Sequence, residues 1–533
     1  MSNPITGTFA LLRATWVLTR EGVFASFPGD GLPPGPALLH RMAKLLARKP
    51  PSGRKPGVVP GEGLPRALQR LGPSYVKLGQ FLATRPDIVG LDIARRLGQL
   101  QDKVPPFPDA AAIAEIELTL GRRVDELFIE LGEVVGAASV AQVYKARIRN
   151  PDGSERFAAV KVIRPGVRQR FRRELDTFAF IARFLERFVP SSRRLRPKAV
   201  VQTLAQSTRI EMDLRLEAAA ASEMGDNTAG DSGFRVPRID WERTGRDVLT
   251  MEWIDGIKMS DVEAIRQAGH DMQALAVTVV QSFLRHAMRD GFFHADMHQG
   301  NLFVAPDGAV VAVDLGIVGR LNDQSKRFLA EILYGFIRRD YRRVAELHFE
   351  AGYVPRGQDV ASFAQALRAI GEPIYGQPAE TISMGHLLSL LFEVTELFDM
   401  RARPELVLLQ KTMVVVEGVA RSFDPKFNMW VAAEPVVSDY ILHELGPAAR
   451  LREFQESVVA VGRLLRHTPE LTQGLEILAR ELPDLIENGI RLNDDTLVEL
   501  VQDTKPGIIV TKIAVVTIAV ALAVIAWSMA TGG

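Results

Sequence analysis

The chain has no cysteine. That excludes disulfides, thiolate metal sites and a cysteine nucleophile, and it fits a reducing compartment. It also has no excess charge of either sign. Lys and Arg total 65 against 64 Asp and Glu, a formal net charge of +1, so no overall field favours nucleic acid, and none is expected as a partner. Nor does the start read as a signal peptide: residues 7–18 are apolar around Arg13, with no basic stretch before them and no small-residue cleavage site after. What remains is a folded composition, 47% hydrophobic and 24% charged over 533 residues, enough for two or three compact units.

The informative stretch is His294-Ala295-Asp296-Met297-His298-Gln299-Gly300-Asn301, followed by Val313-Asp314-Leu315-Gly316. An aspartate, then an asparagine five residues on, then a second aspartate closing a short apolar run is what phosphoryl transfer from ATP needs. Asp296 takes or orients the nucleophile's proton, while the Asn301 amide oxygen and Asp314 hold Mg²⁺ against the phosphates. Upstream, Gly136-Ala137-Ala138-Ser139 lies between two strand-like runs. Lys161 follows in Phe157–Ile163, after an Asn150-Pro151-Asp152-Gly153 hairpin turn. A small-residue loop over phosphates and then a lysine for them is the order of a nucleotide-binding lobe. Such a lysine needs a helix carboxylate, and spacing leaves Glu174 and Glu217 both open. Val248–Gly256 reads as a strand and a hinge, with Glu252 placed among the ATP-binding residues because backbone there would meet adenine.

Around this core the chain carries several extensions. Residues 5–24 read as an amphipathic helix for a membrane surface or for the protein body. Residues 28–36 and 50–65 are Pro/Gly-rich linker. Pro73 opens a helix that presents Lys77 and Gln80 on one face, and mid-helix Gly79 suggests close approach of another backbone. Residues 88–120 are helical around a Pro-rich break at 105–108, and Leu127–Glu130 reads as strand. After Gly316 there is no room for an activation segment, because a helical pattern starts at 323. Helical patterns fill 339–500, with breaks at Gly352, Pro355, Gly371-Pro373, Pro404 and Pro425. From Ile508 to Met529 the one charge is Lys512, and Trp527 sits at the far end. About 20 apolar residues span a bilayer, so this predicts a single transmembrane anchor; Lys505 and Lys512 on its N-terminal side place the body in the cytoplasm.

Together these motifs resemble the UbiB family of atypical, protein-kinase-like proteins over about 70–440. Lys77-Leu78-Gly79-Gln80 matches its Lys-x-Gly-Gln motif, Gly136–Ser139 its alanine-rich nucleotide loop, and Glu211-Met212-Asp213 its Glu-x-Asp motif. Asp296, Asn301 and Asp314 complete the set. Gly136 stands where the family favours alanine, Ala141 for the usual glycine and Tyr144 for the usual histidine. The resemblance implies that Glu217 pairs with Lys161, and that Lys77 and Gln80 lie over the nucleotide site near Glu211 and Asp213, covering the substrate entrance. It also implies ATP and Mg²⁺ as cofactors and a part in ubiquinone biosynthesis at a bacterial inner membrane. The expected partners are a lipid or quinone precursor, the quinone-biosynthesis enzymes, the membrane and a second copy of the chain.

The expected fold is therefore α+β: a bilobal protein-kinase-like domain with a helical N-terminal extension and a C-terminal transmembrane helix. Its boundaries are 1–65 for amphipathic helix and linker, 66–122 for the helical extension, 123–256 for the N-lobe, 257–450 for the C-lobe, 451–505 for a helical segment and 506–530 for the anchor. The rival readings are a catalytically silent nucleotide-binding scaffold, a true protein kinase, and a small-molecule phosphotransferase of the aminoglycoside- or choline-kinase type.

Overall fold

The chain divides into Met1–Gly446 and Pro447–Gly533. The computed structural model describes residues 13–23, 63–83, 105–138, 140–188, 196–375 and 404–444, with scattered positions within 41–47, 89–100 and 390–400. The expected helical segment 451–505 and the anchor at 506–530 lie outside the described residues. Among those described, no helix is long and apolar enough to cross a membrane.

The N-terminal extension is helical. Residues 13–20 form the described part of the predicted 5–24 helix. Just after it, Glu21 pairs with Arg66 at 3.5 Å and with Arg70, which docks that end on α1 (Leu64–Leu71). Helix α2 (Pro73–Ala83) starts at the predicted proline, and α3 (Leu91–Leu97) follows. The Gly79 expectation needs a correction. A Cβ there would meet Leu100 Cδ1 at 2.4 Å and Leu68 Cδ1 at 2.6 Å, so leucine side chains, not another backbone, fill the space. Leu68, Leu97 and Leu100 form a small core of their own beneath it.

Helix α4 (Asp109–Leu120) ends on left-handed Gly121. The predicted strand at 127–130 begins instead as a single helical turn, α5 (Val124–Leu127), closed by Phe128 N–H to Val124 O at 2.9 Å. Leu127 and Phe128 are buried, so an apolar pair that reads as strand is a helix end packed under the sheet. Strands β1 (Glu130–Ala137), β2 (Ala141–Arg149) and β3 (Glu155–Ile163) are antiparallel neighbours. The predicted turn joins the last two, with Gly153 at φ 86°. Helices α6 (Val167–Phe188), α7 (Pro197–Glu211) and α8 (Leu214–Asn227) follow.

Strand β4 (Phe234–Arg235) lies within the 123–256 expected for the N-lobe, yet it pairs in the large-lobe sheet. Strand β5 (Val248–Glu252) closes the small-lobe sheet in the order β1-β2-β3-β5. Residues 253–256 then cross to β6 (Ile257–Lys258) in the large-lobe sheet. Helices α9 (Val262–Gln267) and α10 (Met272–Arg285) lead through a π turn at His286–Asp290 to Gly291, left-handed at φ 62° as a helix C-cap. Strands β7 (Phe292–His294), β8 (Leu302–Val304), β9 (Val310–Ala312) and β10 (Val318–Arg320) frame the catalytic-loop stretch. The larger sheet runs β4-β9-β8-β6, and β7 pairs with β10.

Helix α11 (Asp323–Ile337), capped by Asn322, starts where the short run after Gly316 predicts. Helices α12 (Tyr341–Glu350), α13 (Val360–Tyr375), α14 (Pro404–Phe423) and α15 (Met429–Glu444) complete the described chain. Gly371 and Pro373 do not break it, since both lie inside α13. Gly371 is there for space: a Cβ would meet the Tyr341 ring at 2.3 Å. One core holds most of the large lobe, while separate clusters lie in the small lobe, one centred on Tyr144 and Val160 and the other on Ile163 and Phe171. Helix α8 joins the lobes. Leu214 and Ala218 pack in a small-lobe cluster, and Ala220, Ala221 and Met224 in the large core.

Candidate active site

At the lobe junction Lys161, on β3, meets acids from α8 and from the segment after β9. Its Nζ is 2.8 and 3.0 Å from the two Glu217 oxygens and 3.1 Å from Asp314 Oδ1. Burial opposes its charge, but Asp314 and Glu217 outweigh that and hold its pKa above the ordinary lysine range. Burial first of all pushes Glu217 up to about 7, against the pull of Lys161. Lys161 in turn holds Asp314, whose carboxylate is half exposed, below the usual carboxylate range. The geometry chooses between the two candidate acids, for Glu174 instead faces Arg170 at 3.4 Å.

Asp314 is left-handed at φ 59°, a backbone form that is uncommon outside glycine and clusters at functional sites. A Cβ on Gly316 would lie 3.3 Å from Asp314 Oδ1 and 3.8 Å from Glu217 Oε2, so glycine there keeps the acids clear. The two aspartates are tied together by His294, whose own role the sequence reading passed over. Its buried ring donates from Nε2 to Val313 O at 3.1 Å and accepts the Asp296 N–H on Nδ1 at 3.2 Å. Burial lowers its pKa, which suits a neutral ring with one donor and one acceptor. The signal was available, a histidine two residues before the aspartate.

Asn301 donates from Nδ2 to Asp296 O at 3.1 Å, which leaves its Oδ1 to accept or to ligate. Asp314, with Oδ1 on Lys161, keeps Oδ2 for a cation. Two oxygen donors of this kind fit Mg²⁺, which binds through one or two protein groups plus phosphate and water. Among the described residues no group of three or more His, Asp or Glu side chains could hold a metal by itself.

The loop over the phosphates is partly strand. Gly136 and Ala137 pair with Val143 and Gln142 at the end of β1. Ala138 N–H closes the turn onto Ala141 O at 2.8 Å, and Ser139 lies outside the described residues. Arg164 Nη2 holds the turn from below, donating to Ala138 O at 3.2 Å and Pro105 O at 3.0 Å. Tyr144 donates to Asp109 at 2.9 Å; burial and Asp109 push its pKa up to about 12. Gln142 bonds both backbone groups of Phe107. The Pro-rich segment is thus fastened to the strand behind the loop.

Lys77 ion-pairs with Glu211, which ties α2 to the end of α7. The pair is within electrostatic reach of the cluster, since Lys77 adds to the lowering of Asp314 and Glu211 to the raising of Glu217. Gln80, on the same helix face, is half-buried. Asp213 is not brought to Lys77. It caps α8 by accepting Arg215 N–H and pairs with that guanidinium at 2.7 Å. Glu252 is not brought to the acids: its carboxylate takes Arg235 at 3.0 Å and the Arg238 N–H at 3.2 Å, and its own N–H donates to Arg238 O.

Helix α14 falls between the predicted breaks at Pro404 and Pro425, but nothing in the sequence marked its reach to the catalytic loop. Thr412 Oγ1 lies 3.1 Å from Ala295 O, 117 residues away, and 2.9 Å from Leu408 O in its own helix, and shares its one proton between them. Gln299 Nε2 donates to Ser422 Oγ at 2.6 Å. Next to Thr412, Lys411 Nζ is 3.9 Å from Asp296 Oδ1. A cavity of about 730 Å³ lies elsewhere, between α6 and α7, with Arg172, Arg183 and Arg209 over Phe171 and Met212. None of Lys161, Asp296, Asn301 or Asp314 borders it, so this cavity is not the chemical site.

A lysine held by a helix carboxylate, an aspartate–asparagine loop and a second aspartate on a bilobal α+β fold describe a kinase-like centre. Comparison with known proteins agrees. Residues 99–348 match the ABC1 atypical kinase-like domain and residues 367–428 the UbiB helical domain. The chain is 39% identical over 469 residues to the probable protein kinase UbiB of Marinobacter nauticus, covering 87% of this chain and 83% of that one. Among solved structures it is similar to the Rv3197–erythromycin complex from Mycobacterium tuberculosis, at 25% identity and a TM-score of 0.48, over 69% of this chain and 93% of that one. On the strength of its matched domains and its relative's identity, the chain belongs to the UbiB family of ABC1 atypical kinase-like proteins.

Proposed function

We propose that this protein is a Mg²⁺-dependent, kinase-like ATPase that supports ubiquinone biosynthesis from the face of a membrane. The observation that carries the chemistry is Lys161 bridging Glu217 and Asp314, with His294 linking the Asp296 backbone to the carbonyl of Val313, the residue before Asp314. Asn301 and Asp314 would hold Mg²⁺, which would neutralise charge at the phosphates. Lys161 binds the phosphates, and Glu217 holds Lys161. Asp296 accepts the proton of the attacking hydroxyl as the γ-phosphorus–oxygen bond to ADP breaks, giving ADP and either a phosphorylated acceptor or inorganic phosphate.

The acceptor class we favour is a lipid precursor of the quinone or the biosynthetic complex. Support comes from the family, from the near-immediate start of α11 after β10, and from the apolar sequence at 508–529. That run anchors the chain in the bacterial inner membrane, with the body on the cytoplasmic side. ATP turnover by the full chain in anionic vesicles tests the chemistry. Asp296→Asn and Asp314→Asn should each lower kcat by about 100-fold or more, and parental turnover in both would sink the assignment. Quinone levels in a deletion strain rescued by parent or Asp296→Asn test the pathway: rescue by the inactive variant favours the scaffold reading.

A further inference from the structure

The catalytic loop has little cationic help of its own. Across His294–Val304 the candidate cations are histidines. His294 is buried and spent on Val313 and Asp296, and His298 Nε2 stands 3.7 Å from Asp296 Oδ2. Lys161 is engaged by Glu217 and Asp314. Beyond the Mg²⁺ that Asn301 and Asp314 would hold, a γ-phosphoryl group in transfer carries negative charge past the Asp296 carboxylate, and a cation beside that carboxylate lowers the repulsion between the two anions.

We infer that Lys411 is that cation: α14 delivers it beside Asp296, where it holds the carboxylate oriented and offsets its charge as the phosphoryl group passes. Three contacts define the placement. Thr412, the next residue, is fully buried, and its Oγ1 shares its one proton between the carbonyl of Ala295, the residue before Asp296, and that of Leu408 one turn back. Ser422, farther along the helix, accepts from Gln299 on the far side of the loop. Lys411 Nζ reaches Asp296 Oδ1 at 3.9 Å, a long contact of the kind that tightens once a reactant is bound. Lys411 acts through Asp296 and is a positioning residue. The matched helical domain, which contains α14, therefore contributes to the chemistry and is more than a support for it.

This inference rests on the phosphoryl-transfer reading, and its test separates the two. Steady-state ATP turnover is measured on the full chain in vesicles for Lys411→Met, Lys411→Arg and Asp296→Asn, together with thermal melting. Lys411→Met should lower kcat about 10- to 100-fold, with KM for ATP within about threefold. Its melting temperature should match the parent, and Lys411→Arg should recover most of the rate. If Asp296→Asn is inactive while Lys411→Met turns over like the parent, the inference falls and the function stands. If Lys411→Met also melts early and Lys411→Arg does not recover, the lysine is structural and the inference again falls. Parental turnover in Asp296→Asn removes the function itself.

Discussion

Two acids compete on paper for Lys161, and they predict different mutants. Glu217 is buried and gives Lys161 both oxygens. Replacing it by glutamine removes a buried charge, but Lys161 keeps Asp314. The cost should therefore fall below the 3–5 kcal/mol of a buried ion left alone, at about 1–2 kcal/mol of stability. Binding of an ATP analogue should weaken by about tenfold, because the lysine loses the partner that aims it. Glu174→Gln, which disturbs an exposed Arg170 contact, should leave nucleotide binding unchanged. Isothermal titration of both variants decides, and equal losses would mean that the Lys161–Glu217 pair does not organise the site.

The residue types at the site were legible because phosphoryl transfer restricts them to acids, amides and lysine at narrow spacings. Asp296, Asn301 and Asp314 fall into one short stretch, so the chain itself brings them near each other. Lys411 and Thr412 were not legible, because nothing local distinguishes a lysine on a helix surface from one aimed at a loop more than a hundred residues away. Glu252 was placed by its position at the crossing between lobes, and position does not tell where a side chain turns: its carboxylate takes Arg235 and the Arg238 N–H.

At the scale of elements, the glycines separate two kinds of constraint. Gly79 sits inside α2, where alanine is favoured by about 1 kcal/mol on helix propensity alone. The added Cβ would meet Leu100 and Leu68 at 2.4 and 2.6 Å, and overpacking a core costs about 1–3 kcal/mol. Packing should win, so Gly79→Ala is expected to lower stability by about 1 kcal/mol. Gly136 ends β1 with nothing within 4 Å of an added Cβ and without a positive φ. Gly136→Ala should raise stability by about 0.5 kcal/mol through a less free unfolded chain. Urea midpoints of the two variants check the opposed signs. An element with strong punctuation, such as the Asn150–Gly153 hairpin, was readable from sequence. The 127–130 segment and Gly371 were not, since an apolar pair suits strand or helix end, and a glycine marks a break or a close approach equally well.

For the molecule as a whole, the large-lobe core carries an acid sensitivity in His348. The residue is buried on α12, donates from Nδ1 to Val344 O at 2.7 Å, and packs edge-on against Phe363 and Tyr353. Burial pushes its pKa down to about 4. In the unfolded chain it titrates near its ordinary value of about 6.5. The sign follows: below about 6.5 the unfolded chain binds a proton that the fold refuses until about 4, so stability falls as pH falls through that window. The full loss is about 3 kcal/mol, at 1.36 kcal/mol per pKa unit. Asp231 also weakens the fold in acid. Burial opposes its charge, but His286 and Arg289 outweigh that and lower its pKa, so its contribution is present above about 3.8 and is lost at still lower pH. Two site groups do titrate in the window. His294, lowered by burial, acts with the same sign as His348, and Glu217, pushed up to about 7, with the opposite one. Both are common to parent and variant, so the difference between the two proteins isolates His348. His348→Gln should be less stable at neutral pH but should lose about 2–3 kcal/mol less than the parent between pH 7 and 4.5. Parallel pH dependence in urea unfolding of the two proteins would assign the acid sensitivity to another group.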